Sequence, residues 1–156
     1  RRPPRSTLSP SSAASDVYKR QAIADRLAVM RRGRIVREGP AQEVVGDPGE
    51  EFVARFLGAN VLRARKISPG LYRLEGSDFA VRVGRDEEEL LLAFYPEDVE
   101  PDPRGIEAEV VATSFSRAGC RVIARVGREE VELLWRNPPH SRVIKFRPSR
   151  IMLVRP

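Results

Sequence analysis

From residue 59 to the end, apolar residues recur at every second position in short stretches, and Gly or Pro cuts each stretch short. A period of two is the signature of strands with one buried face, and it excludes a helical bundle for this part of the chain. Strand candidates lie at 61–66, 71–74, 79–83 and 90–95, then at 106–115, 121–126, 129–135, 143–146 and 151–154. In the first of the later group, Ile106, Ala108, Val110 and Ala112 alternate with Glu107, Glu109 and Val111. Pro69-Gly70, Gly76-Ser77, Gly119 and Gly127 are turn signals between neighbours. Pro96-Glu97-Asp98-Val99 suggests a helical turn, and Pro101-Asp102-Pro103 a stiff linker. Many short strands at regular spacing predict a small closed barrel, and a segment of this length can bury a modest core unaided.

Residues 22–58 carry a different pattern. Leu27-Ala28-Val29-Met30 and Arg34-Ile35-Val36 flank Arg32-Gly33 and predict a hairpin. Pro40 suits the first turn of a short helix over 41–45, where its missing N–H costs nothing. Gly46-Asp47-Pro48 stops that helix. A second helix is expected over 50–57, with Phe52 and Phe56, and Val53 and Leu57, each four apart on one face. Gly58 fits the position just past its end.

Residues 1–21 hold five Ser, three Pro and almost no large apolar side chain, so the segment is expected to be disordered. Ser11 to Gln21 reads S-S-A-A-S-D-V-Y-K-R-Q, which resembles one translated frame of a transposon adapter used in preparing sequencing libraries. The segment is therefore expected to be an artefact and is set aside. Its removal matters for charge. The whole chain carries 28 Lys+Arg against 22 Asp+Glu, but 22–156 carries 23 against 21. The electrostatic case for nucleic acid weakens accordingly. One Cys excludes a disulfide framework, one His argues against His-rich metal sites, and no run approaches a membrane-spanning length. Few amides and many charges suit a thermophile, while the Arg excess over Lys equally suits a GC-rich genome.

The run from Ala24 to Pro40, A-D-R-L-A-V-M-R-R-G-R-I-V-R-E-G-P, resembles the stretch after the switch histidine in ABC-transporter ATPase subunits. Pro48 to Leu62, P-G-E-E-F-V-A-R-F-L-G-A-N-V-L, resembles the importer-type junction between the ATPase and a C-terminal transport-associated OB (TOBE) domain. Ala93-Phe94-Tyr95-Pro96-Glu97-Asp98-Val99 is similar to that domain's R-P-E-D signature, with Tyr95 where the family has Arg. Gly39 stands before Pro40 where the family often has Thr, which weakens the helix cap. The resemblance implies a mainly β fold: a small OB-like (TOBE) barrel over 59–156, preceded by a hairpin and two short helices, 22–58, from the end of an ABC ATPase α/β domain. It implies the regulatory C-terminal part of an importer's ATP-binding subunit. Such a subunit lies on the cytoplasmic face of the cell membrane, with a second copy and transmembrane permease subunits as partners. ATP and Mg2+ are implied for the full-length protein. No phosphate loop G-x-x-x-x-G-K-(S/T), signature run or switch histidine occurs in the 156 residues, so no cofactor and no ATP turnover are expected of this chain alone. The alternative is a stand-alone OB module binding an oxyanion or nucleic acid. Net charge and strand-patterned aromatics count against nucleic acid as a partner.

Thr113 to Gly119, T-S-F-S-R-A-G, sets Arg117 beside Ser114 and Ser116, a group that can bind an oxyanion, against the plainer reading of a hairpin turn. Other features have structural readings. His140 reads as a solvated loop residue, Cys120 as a small buried hydrophobe, Asp86-Glu87-Glu88-Glu89 as a solvated turn, and Arg31-Arg32-Gly33-Arg34 as a surface turn. Trp135 and Phe146 read as core or barrel-rim packing.

Overall fold

The computed structural model describes residues 25–156. The disordered and adapter-like readings of 1–21 lie outside the described residues. A two-stranded hairpin comes first, β1 (Arg26–Arg31) and β2 (Arg34–Pro40). Two short helices follow, α1 (Ala41–Gly46) and α2 (Glu51–Phe56). The remainder is strand: β3 (Asn60–Ser68), β4 (Leu71–Leu74), β5 (Ala80–Arg82), β6 (Glu89–Phe94), β7 (Val99–Ser116), β8 (Gly119–Val126), β9 (Glu129–Trp135), β10 (Val143–Pro148) and β11 (Met152–Val154). One sheet runs β10-β7-β8-β9 and the other β11-β6-β3-β4-β5, with every named pair antiparallel. The fold is mainly β, a curled half-barrel consistent with a small OB-like domain.

Alternation explains the inner face. In β8, Cys120, Val122, Ala124 and Val126 are buried, while Arg121 and Arg125 face solvent. β10 repeats this with Ile144 and Phe146 inside. Leu62 and Ala64 of β3 and Leu90, Leu92 and Phe94 of β6 meet them from the other sheet. The Phe94 and Phe146 rings, 5.8 Å apart and tilted, join the two sheets at the centre of the core. Two turns also meet glycine to glycine: a Cβ on Gly76 would stand 2.5 Å from the Gly127 Cα, so neither position tolerates a side chain.

The outer face of β3, β6 and β11 is buried as well. Val61, Leu91, Ala93, Met152 and Val154 form a second cluster with Val29 of the hairpin and Val44, Val53, Ala54 and Leu57 from the helical segment. That is why β6 reads L-L-L-A-F without alternation: it is buried on both sides. Three polar links reinforce the join. The Tyr95 hydroxyl donates to the Val45 carbonyl at 2.7 Å. The Arg155 carbonyl accepts from Glu51 N–H at 2.7 Å, and Arg155 N–H donates to the Gly49 carbonyl at 3.0 Å.

Three sequence expectations need correction. Pro101-Asp102-Pro103 is no linker; it lies inside β7. The β7–β10 register jumps from Phe146 opposite Pro101 to Lys145 opposite Glu107, so residues 102–106 bulge out of the ladder where proline is tolerated. Gly105 crosses close to β10 there, and a Cβ on it would stand 2.2 Å from the Phe146 carbonyl oxygen. Pro96 to Asp98 is a turn closed by Asp98 N–H on the Tyr95 carbonyl, not a helical turn. At α1, Pro40 is the cap residue itself and gives no side-chain bond; the Ala41 N–H is satisfied by the Asp25 carbonyl at 3.1 Å.

Candidate ligand cleft

One concavity measures about 930 Å3. Three chain segments line it. Glu97, Val99, Glu100 and Pro101 come from the start of β7 and the turn before it. Arg117, Ala118 and Gly119 form the β7–β8 turn. Leu134, Trp135, Arg136 and Asn137 come from the end of β9. Topology assembles these segments: β9 pairs with β8 so that Cys120 faces Trp135, and Leu134 N–H donates to the Pro96 carbonyl at 2.8 Å. The cleft is amphipathic. Two guanidinium groups, two carboxylates and the indole of the chain's only tryptophan line it. Arg117, Arg136 and Glu100 form no ion pair among the described residues, so these charges are open to a ligand.

The predicted trio Ser114, Ser116 and Arg117 divides here. Arg117 lines the cleft. The Ser116 hydroxyl is occupied by its own turn, donating to the Gly119 carbonyl at 3.2 Å and accepting from Ala118 N–H at 3.2 Å. Ser114 sits on β7 opposite Arg121, exposed and outside the lining residues. The residues that sequence reading missed are Arg136 and Glu100. Nothing local marks them, because they meet Arg117 only through the pairing of β7, β8 and β9. Trp135, read from the sequence as core or barrel-rim packing, is partly buried against the core and lines the cleft.

The remaining groups are quiet. Cys120 is fully buried in the barrel core, and His140 is exposed in the loop after β9. The acidic run is tied to bases: Asp86 to Lys66 at 2.6 Å, Glu88 to Lys66 at 3.8 Å, Glu87 to Arg85 at 3.9 Å, and Glu89 to Arg63. The Lys66 hydrogen bond holds the Asp86 carboxyl below its usual range and, reciprocally, raises the lysine. Burial pushes the Tyr95 phenol well above its ordinary value, so it stays protonated and a donor at every physiological pH. Arg31 lies over the Phe52 ring at 4.6 Å, tying the hairpin to α2. Among the described residues no group of three or more His, Cys, Asp or Glu is placed to hold a metal ion. No helix among them is long and apolar enough to cross a membrane.

No family model matches the chain. Individual relatives do. A sulfate/thiosulfate import ATP-binding protein of Mesorhizobium japonicum is 33% identical over 137 residues, covering 82% of this chain and 40% of the relative. A molybdate/tungstate import ATP-binding protein of Pyrococcus abyssi is 33% identical over 118 residues, covering 68% of this chain and 33% of its own. An Fe(3+) ions import ATP-binding protein of Streptomyces avermitilis is 60% identical over 37 residues, 24% of this chain and 11% of that one. The chain thus spans two-fifths or less of the length of these curated relatives. The homologues of this chain are ATP-binding subunits of ABC importers.

Proposed function

We propose that this chain is the C-terminal, regulatory part of the ATP-binding subunit of an ABC importer. In this reading, 22–58 is the last hairpin and helical segment of the nucleotide-binding domain, and 59–156 is a TOBE barrel mounted on it. The observation that carries the reading is the buried join. The hairpin and helices bury their apolar face against the outside of a barrel sheet. A displacement of one part is thereby transmitted to the other as a near-rigid body. The relatives, by name, import sulfate or thiosulfate, molybdate or tungstate, Fe(3+) and sn-glycerol-3-phosphate, so the shared part is the energy-coupling subunit and not the cargo. The whole subunit would work with a second copy and with permease subunits on the cytoplasmic face of the membrane.

The residues present do not fit a nucleotide site. The sequence has no Gly-rich phosphate loop with its Lys, and carboxylates as well as guanidiniums line the cleft. In this reading ATP and Mg2+ would be bound by the full-length subunit. Purified chain is expected to show no saturable ATP turnover, and the gene upstream of codon 22 should encode a phosphate loop in frame. Saturable turnover, or an intact gene that lacks the loop, would refute the reading.

The open guanidiniums favour a second, narrower reading, in which the cleft takes a small oxyanion through Arg117 and Arg136. Titration with molybdate, tungstate and sulfate, followed by Trp135 emission, tests it. A saturable change lost in Arg117→Ala and Arg136→Ala supports the site, and no response to any of the three rejects it.

A further inference from the structure

Among the described residues one polar side chain is buried, Asn60, at 8% exposure. It opens β3, two residues after Gly58, where the helical segment passes into the barrel. Its Nδ2 donates to the Glu132 carbonyl at 2.8 Å, and its Oδ1 accepts from Glu132 N–H at 2.8 Å. Glu132 lies on β9, an edge strand paired only with β8. The bonds to Asn60 show that Glu132 turns both backbone groups away from β8, toward the open edge. A neighbouring strand would engage such a residue through the same two bonds. Here one side-chain amide makes both, because a carboxamide has the donor and acceptor of a peptide group.

Two residues further along the same edge, Leu134 N–H is held by the Pro96 carbonyl. β9 then ends in Trp135, and the cleft wall begins. We propose that Asn60 is the positioning residue of the cleft: its amide substitutes for a strand on the free edge of β9, closes the gap between β3 and β9, and thereby fixes where Trp135 and Arg136 stand. This inference follows from the barrel geometry and does not depend on the importer reading. The charged groups around the clasp are otherwise engaged. The Glu132 carboxylate takes Arg121 at 2.9 Å, and Arg55 takes Glu51 at 2.9 Å and the Val61 carbonyl at 3.3 Å.

Asn60→Asp and Asn60→Ala in the full chain test the clasp by denaturant unfolding and by emission of Trp135, the chain's single indole. At pH 7.5 the introduced carboxylate faces the Glu132 carbonyl without a proton to donate. The folding constant of Asn60→Asp is expected to fall about a hundredfold, with a red shift of the Trp135 emission. Burial raises the pKa of the introduced carboxyl above its unfolded value, so the deficit is fully present above the raised pKa and shrinks as pH falls and the donor returns. The pH dependence of the parent chain is subtracted. Asn60→Ala should keep its deficit at every pH. A pH-independent deficit in Asn60→Asp, or parent-like stability and emission in both variants, overturns the proposal. If the variants do not fold, amide exchange in the parent chain decides. Glu130 lies on the same outer edge by the alternation of the β8–β9 ladder, without such a clasp. Glu132 N–H should exchange at least tenfold more slowly than Glu130 N–H, and equal rates overturn the proposal.

Discussion

The barrel and the hairpin–helix segment are built on unequal terms. The barrel has a core of its own, in which Tyr72, Phe94, Ile106, Leu133 and Phe146 are all essentially inaccessible. The hairpin and helices have none. α1 and α2 are six residues each, too short to persist alone, and their buried residues are covered by the outer face of β3, β6 and β11. The sheet β11-β6-β3 therefore has two uses: its inner side makes the barrel stable, and its outer side orders the preceding segment.

That asymmetry can be broken from either side. The largest effect is expected in the barrel. Phe146→Ala should cost about 3–5 kcal/mol in denaturant unfolding and release both parts together, because the second core rests on the first. Leu57→Ala, on the outer face, should cost about 2–4 kcal/mol and be read mainly as lost protection in 26–57. Tyr95→Phe removes only the bond to Val45 and should cost about 1 kcal/mol, with α1 fraying first in amide exchange. The smallest effect concerns the Lys66–Asp86 pair at the barrel rim. Asp86 is depressed, so its contribution is present above the unfolded carboxylate pKa and fades as pH falls through the folded value. Lys66→Gln should therefore flatten the acid limb of the stability curve slightly below about pH 4, without touching the hairpin.

Much of this architecture was legible in the sequence, and the failures have physical reasons. The two-residue period in 120–126 and 143–146 marks strands because one face is wet. The unbroken run in β6 is legible as a strand, but its second partner is not, since an apolar run does not say what covers each side. Pro101 and Pro103 misled because a strand tolerates proline at a bulge, and the bulge is set by the distant Phe146. At the cleft, Arg117 was visible as a turn residue beside hydroxyls. Its true neighbours, Arg136 and Glu100, come from strand ends about twenty residues away in sequence and leave no local pattern. Ser116 looked like a ligand donor and instead closes its own turn, a use that Ser in a hairpin always has open to it. Tyr95, a departure from the family's arginine, replaces a charge at that position with a neutral donor aimed at α1.

The hairpin–helix segment is held by the barrel, whereas the barrel has a core of its own. Val53→Asp puts a charge into the fully buried face of α2 without touching a barrel residue. Amide hydrogen exchange on that variant is the direct measurement. Protection should vanish across β1, β2, α1 and α2 and persist across β7, β8, β9 and β10. Loss of protection throughout the barrel, or its retention in the helices, would contradict the claim.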